Sequence, residues 1–245
     1  MTPDYLSILV VIAFFSVVQS MFGMGLLIFG TPTLLLMGHD FITTLGYLLP
    51  PSFVISFLQV FTIGRGRTTI SRYLYLLCLP GIGAGLWLAD SHSLAPWINM
   101  LVGITLLLSA LVRYWPPLQR LLTALLDKHL PLYHLIMGLT HGLTNLGGAL
   151  LAVLASGQNR DKEAIRYTVA HYYLVFGCVQ MIVLVAVIGH TNILANNILA
   201  PIIAALVHLL IGRVIFSRSS NQAYSTALNM FIAAYGITVL AQFWS

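Results

Sequence analysis

The chain has 245 residues, of which 59% are hydrophobic and 7% charged, with a formal net charge of +5. Soluble domains carry about 25% charged residues, so a water-facing globular surface is excluded and a membrane protein is expected. In such a chain a modest basic excess reports topology before partners, and no nucleic-acid function is read from it.

The long uncharged intervals define the elements. Residues 5–39 contain no Asp, Glu, Lys or Arg. As one helix they would extend about 50 Å at 1.5 Å per residue, against a hydrocarbon core of about 30 Å. Gly23, Gly25, Gly30 and Pro32 interrupt them. The segment is therefore either one long tilted helix or a helix that enters, breaks and turns back. It lacks a basic leader and runs past signal-peptide length, so no cleavable signal is expected. Residues 41–63 predict a helix kinked at Pro50 and Pro51. Residues 73–89 predict a shorter helix containing Pro80, Gly81, Gly83 and Gly85, and residues 94–112 the next. A link over 113–131 begins at Trp115-Pro116-Pro117. It sets Arg113, Arg120, Asp127 and Lys128 around Leu121–Leu126, the pattern of a short amphipathic interfacial segment. Residues 129–159 are a second long uncharged stretch, broken by Gly142, Gly147 and Gly148. Helices are predicted over 164–188 and 193–212, separated by Gly189-His190-Thr191-Asn192, and over 223–244. Cys78 and Cys178 lie inside apolar spans and read as packing residues, not as a disulfide framework.

The two broken stretches look related. Gly23 and Gly142 are 119 positions apart, as are Gly38 and Gly157, and three spans follow each stretch. This order predicts an internal duplication: a first membrane repeat over 1–114, a cytoplasmic link over 115–131 and a second membrane repeat over 132–245. The eleven Lys and Arg choose between topologies. They occupy the loop of Arg65, Arg67 and Arg72, the link with Arg113, Arg120 and Lys128, the loop of Arg160, Lys162 and Arg166, and the turn of Arg213 and Arg218. If both broken stretches cross fully, these groups divide almost evenly across the membrane. If both return to their own side, all lie on the cytoplasmic face, as basic loops do. Each repeat then has an odd number of crossings. The expected fold class is an all-α polytopic membrane protein of two inverted repeats, each a glycine-broken helix followed by three transmembrane helices, a recurring transporter design.

The stretch Phe22-Gly-Met-Gly-Leu-Leu-Ile-Phe-Gly-Thr-Pro-Thr-Leu-Leu-Leu-Met-Gly38 resembles the N-terminal signature of the TauE/SafE sulfite exporter family. His141-Gly142-Leu-Thr-Asn-Leu-Gly147-Gly148, running on to Gly157, resembles its second-repeat counterpart. The resemblance covers essentially the whole chain. It implies a membrane transporter of sulfite, sulfonates or related sulfur-containing or organic anions in a bacterial-type cytoplasmic membrane.

The residues around the breaks are the candidate site. A break frees backbone N–H groups and turns half-helix N-termini toward the interior. Such backbone is tolerated at membrane depth only inside protein or against a water-filled cavity. Candidates at the first break are Gly23, Gly25, Gly30 and Thr31. At the second they are His141, Gly142, Thr144, Asn145, Gly147 and Gly148. Ser52, Ser56 and Gln59 share one face of the helix after the first break, and His171 and Gln180 lie on the helix after the second. His141 and His171 are candidates for proton coupling. The bland readings are close helix packing for the glycines, a helix cap for Asn145 and backbone-bonded histidines. No Gly-x-Ser-x-Gly elbow, intramembrane aspartate pair or His-Glu-x-x-His stretch is present, so an enzyme is not expected. The expected function is a secondary transporter of a small anion, with an anion channel of the same architecture as the alternative. No cofactor or metal is expected. The partners are the anion, with a proton as coupling ion, the lipid bilayer and a second copy of the chain as a homodimer.

Overall fold

The computed structural model describes residues 3–63, 68–91, 94, 97–159, 161–189, 197–224, 226 and 230. The described residues are helical, without strands. Helix α1 is Pro3–Phe22, α2 Leu26–Leu36 and α3 Phe41–Ile63. A π-helical turn, Leu74–Cys78, leads into α4, Leu79–Asp90, followed by α5, Ile98–Tyr114. Helix α6 is Pro116–Lys128, α7 Leu130–Thr144, α8 Gly148–Gln158 and α9 Lys162–Ile182, which continues as a π-helical turn over Val183–Val187. Helix α10, Leu199–Val207, passes through a third π-helical turn, His208–Gly212, into α11, Arg213–Arg218. Most of the helix expected over 223–244 lies outside the described residues, as do His190, Thr191 and Asn192.

Among the described residues, four helices are long and apolar enough to cross a membrane: Asp4–Phe22, Phe41–Thr62, Lys162–Val187 and Leu199–Arg218. The protein is a multi-pass membrane protein. Its lipid-facing positions stay apolar, with Leu6, Val10, Phe14, Phe61, Trp87 and Leu210 among the exposed large side chains. Pro50 and Pro51 sit inside α3 without ending it, as membrane helices tolerate. Helix α6 carries Leu126 on its buried side and Arg120, Asp127 and Lys128 in the open, the expected amphipathic arrangement.

Both long uncharged stretches break into helical hairpins. Helix α1 ends at Gly23, with φ +76, and α7 ends at Asn145, with φ +63. Each is a left-handed residue just past a helix, the usual way to end one. Three residues separate the helices in each case, and the returning helices α2 and α8 are both 11 residues long. Gly23 and Asn145 thus take the same place in their respective hairpins, and Asn145 lies three residues beyond Gly142. Asparagine tolerates this conformation better than other non-glycine residues.

Each hairpin opens and closes at one end. Tyr47 of α3 meets Tyr5, near the start of α1, at a ring separation of 6.2 Å, and His39, just after α2, at 6.0 Å. In the second hairpin Leu126, just before α7, lies against Gly157 in the last turn of α8. Asp40 and Asp161 then cap the helices that follow: their Oδ1 atoms accept from the Thr43 and Ala164 amides at 2.9 and 2.8 Å. The hairpins pass one another. The tip of the first lies against Arg166 and Val169 in the early turns of α9, whereas Gly148 meets Ile28 of α2 and the hydroxyl of Tyr173.

Candidate functional site

The second break holds a buried polar chain. His141 Nε2 lies 3.2 Å from Gln180 Oε1, Gln180 Nε2 donates to Asn145 Oδ1 at 3.3 Å, and Asn145 Nδ2 donates to Thr31 Oγ1 at 2.8 Å. An amide oxygen only accepts, so Nε2 of His141 carries its proton and Nδ1 presents a lone pair. All four side chains are fully buried. The chain ties α7, α9 and the second break to α2 of the first hairpin. His141 is held between the rings of Tyr173 and Phe176, at 5.7 and 4.6 Å. Among the described residues, neither His141 Nδ1 nor the buried Tyr173 hydroxyl has a hydrogen-bond partner. Polar and ionisable side chains at membrane depth are candidates for function.

Close approach explains the glycines here. A Cβ on Gly148 would run into the Tyr173 hydroxyl and Ile28, and one on Gly147 would meet His141 Cβ at 2.6 Å. Thr144 bonds back to the Thr140 carbonyl at 2.7 Å and accepts from the Leu146 amide at 3.3 Å, which helps to close the turn. Helix α8 starts directly after this turn with its N-terminus toward α2.

The first break is organised by Gln19. Its Nε2 donates to the Ser52 carbonyl at 2.8 Å and lies 3.0 and 3.2 Å from Ser52 Oγ and Ser56 Oγ. Its Oε1 accepts from the Leu26 amide at 3.3 Å and from Ser52 Oγ at 3.1 Å. One side chain thus satisfies a first-turn amide of α2, which has no partner within its own helix. Gln59 Nε2 donates to the Gln19 and Ser20 carbonyls at 3.0 Å each. Gly25 sits where a Cβ would stand 2.7 Å from the Gln19 amide nitrogen.

The structure therefore brings together Thr31, His141, Asn145, Gly147 and Gly148, with Thr144 closing the turn. It places Ser52 and Gln59 in the neighbouring Gln19 network with Gly25, and Gly23 at the hairpin tip. Gly30 packs on Leu48, and a Cβ on Gly142 would run into the Ile82 carbonyl of α4, so both are packing positions along helices. His171 does not join the cluster. Its Nε2 lies 3.0 Å from Tyr75 Oη on a more open face of α9. The two breaks do not face each other tip to tip; the second break meets α2 beyond the first.

Two functional candidates escaped the sequence reading. By its position along the chain Arg166 reads as a loop cation, but its side chain is only 7% exposed and its guanidinium reaches the Ser20 carbonyl at 3.1 Å. Its place one turn after Lys162, inside a helix capped by Asp161, was the available signal. His208, the other, is buried beside Ser20. Among the described residues no group of His, Cys, Asp and Glu is suited to a metal.

A family model described as Sulfite exporter TauE/SafE matches residues 8–239. The chain belongs to the TauE/SafE sulfite exporter family. The second hairpin, all but the first residues of the first hairpin, and the buried chain between Thr31 and His141 lie inside the matched region. Membership in the TauE/SafE family makes this a membrane transporter of the sulfite-exporter type, with a small anion as its substrate class. Neither a curated protein nor a solved structure shows a significant match.

Proposed function

We propose that the protein is a secondary transporter that moves a small anion (sulfite, a sulfonate, or a related sulfur-containing or organic anion) across the cytoplasmic membrane, driven by its gradient or coupled to protons. The observation that carries this reading is the meeting of the second break with the first hairpin. There the N-terminus of α8, the Asn145 amide, His141 and Thr31 converge in a fully buried setting. Helix N-termini and amide donors stabilise negative charge without a buried lysine or arginine at that point. Asn145 has a second amide proton to offer besides the one on Thr31.

The hairpins entering from opposite ends support an inverted repeat, with residues 1–114 and 132–245 as its halves. With both hairpins re-entrant, the basic loops gather in the cytoplasm and both termini lie outside. Rocking of one repeat against the other would then break and remake the Asn145–Thr31 contact, exposing the site to alternate sides. His141 is the nearest group able to carry a coupling proton.

Proteoliposomes offered sulfite, thiosulfate, sulfoacetate and small carboxylates test the reading. A saturable flux that responds to a pH gradient is the expected result. An unsaturable conductance would assign the same architecture to a channel, and no movement of any of these anions would overturn the proposal.

A further inference from the structure

A second set of buried polar groups converges on Ser20, in the last turn of α1. Arg166 Nη1 donates to its carbonyl at 3.1 Å, and His208 Nδ1 lies 2.9 Å from its hydroxyl. The hydroxyl spends its own proton on the Ser16 carbonyl at 2.6 Å. A serine hydroxyl has one proton, so His208 Nδ1 is the donor, and in the neutral ring Nε2 carries the lone pair. Among the described residues, buried Nε2 of His208 has no hydrogen-bond partner, and neither has Nε of Arg166.

The fold holds these atoms in place. His208 opens a π-helical turn, a distortion frequent at functional sites. Gly212 closes that turn directly against Ser20, where a Cβ would collide with the serine side chain. The Arg166 guanidinium lies over the Phe216 ring, 3.3 Å from its centroid. Tyr224 packs edge-on to the same ring at 6.0 Å, and among the described residues its buried hydroxyl also lacks a partner. An arginine seldom stays buried without an anion or a full set of acceptors; among the described residues its acceptor is one backbone carbonyl.

We propose that this corner is a second anion site, in which Arg166 Nε–H and the Nε2–H of a protonated His208 hold a small oxyanion at the tip of the first hairpin. The proposal rests on the anion-transporter reading and adds a stopping point separate from the Asn145 cluster. The cations Arg166 of α9 and Arg213 of α11 face His208 and oppose a positive ring when no anion is bound; Tyr224, Glu163 and the like-charged Arg213 face Arg166. An oxyanion among these groups supplies the opposite charge that favours an imidazolium. The proton is taken from water when the anion arrives and returns to water when it leaves; no bond within the anion breaks.

Calorimetric binding to the full chain in detergent tests this, with sulfite, methanesulfonate and acetate as separate probes at about pH 6 and about pH 8, on either side of the ordinary histidine range. The variants are His208→Gln and Arg166→Lys, each checked for an unchanged melting temperature. Titration of the probe is common to all the proteins and cancels in the comparison. The wild type should gain roughly tenfold more affinity than His208→Gln between the higher and lower pH. Arg166→Lys should bind roughly tenfold more weakly at both. If Arg166→Lys does not fold, His208→Gln alone decides. Equal pH dependence in wild type and His208→Gln would overturn this site and leave the transporter reading standing. Failure of the wild type to bind any of the three probes would overturn both.

Discussion

Asn145 Nδ2 donates to Thr31 Oγ1 at 2.8 Å, joining residues 114 positions apart in sequence. The bond links the turn of one hairpin to the returning helix of the other. Asn145 has two separable roles, since it also adopts the left-handed backbone that ends α7, with φ +63. Replacing it by Ala removes the amide and strains the backbone by about 1–2 kcal/mol. Replacing it by Gly removes the amide alone. Asn145→Ala is expected to lower the melting temperature in detergent and abolish anion flux. Asn145→Gly should recover much of the stability and none of the flux. A glycine variant that transports normally would show that the position serves only the turn and that the side chain is not needed for transport.

Gly148 and Tyr173 form a second testable pair. A Cβ at Gly148 would collide with the Tyr173 hydroxyl and Ile28. Alanine is the better helix former by about 1 kcal/mol, but overpacking costs about 1–3 kcal/mol, so Gly148→Ala should be destabilising on balance. Tyr173→Phe removes a buried hydroxyl that has no hydrogen-bond partner among the described residues. It should leave stability unchanged or raise it, and it should make room for the alanine. The double variant is expected to melt above Gly148→Ala alone, a non-additive result of the kind that contacting residues give. Strict additivity would show that the hydroxyl is not what Gly148 accommodates.

Much of this architecture was legible in the sequence because length and glycine are physical constraints. A stretch such as 5–39 is too long for the bilayer and contains residues that permit a left-handed turn. What glycine counting missed is that Asn145 can also take that turn. It aligned Gly23 with Gly142, which instead lets α7 approach α4. The partners of His141 were not legible either. Gln180 is 39 positions away, and nothing local to either residue distinguishes His141 from His171, which faces Tyr75 instead. Arg166 was misplaced because charge was counted by position along the chain, while burial depends on how the first hairpin packs against α9.

Asp40 and Asp161 each cap the helix after a hairpin, and either Asp→Ala change should cost about 1 kcal/mol. Asp40 adds a pH dependence. Partial burial works to raise the pKa of its carboxyl, but hydrogen bonds from Thr43 and from the amides of Asp40 and Ile42 outweigh burial and hold it below the ordinary aspartate range. A depressed pKa means that the folded state favours the ionised form. The stabilisation is therefore fully present above the unfolded value, about 3.9, and is lost as pH falls through the lower folded value. Thermal unfolding of wild type and Asp40→Ala should differ at neutral pH and converge only below about pH 4. A difference that persists undiminished into stronger acid would assign the effect to something other than the carboxylate.

The same two aspartates report the topology. Between Asp40 and Asp161 lie α3, the Leu74–Asp90 helical unit, α5 and the α7–α8 hairpin. The Leu74–Asp90 unit and α5 are each 17 residues long, at the lower limit for a crossing. If the hairpin returns to its own side, three crossings separate the aspartates and they lie on opposite faces. If the hairpin counts as a crossing, there are four and they share a face. Leu126 lying against Gly157 brings the entrance and exit of the hairpin together, which favours three. The basic groups add an independent reason, because four crossings would divide the Lys and Arg nearly evenly across the membrane, against their usual cytoplasmic bias. Single-cysteine variants Asp40→Cys and Asp161→Cys, in a background with Cys178 replaced because that thiol is exposed, should separate under an impermeant thiol reagent. Asp40→Cys is expected to label on intact cells and Asp161→Cys only after permeabilisation. Labelling of both from the same side would sink the re-entrant hairpin and, with it, the opposite orientation of the two repeats.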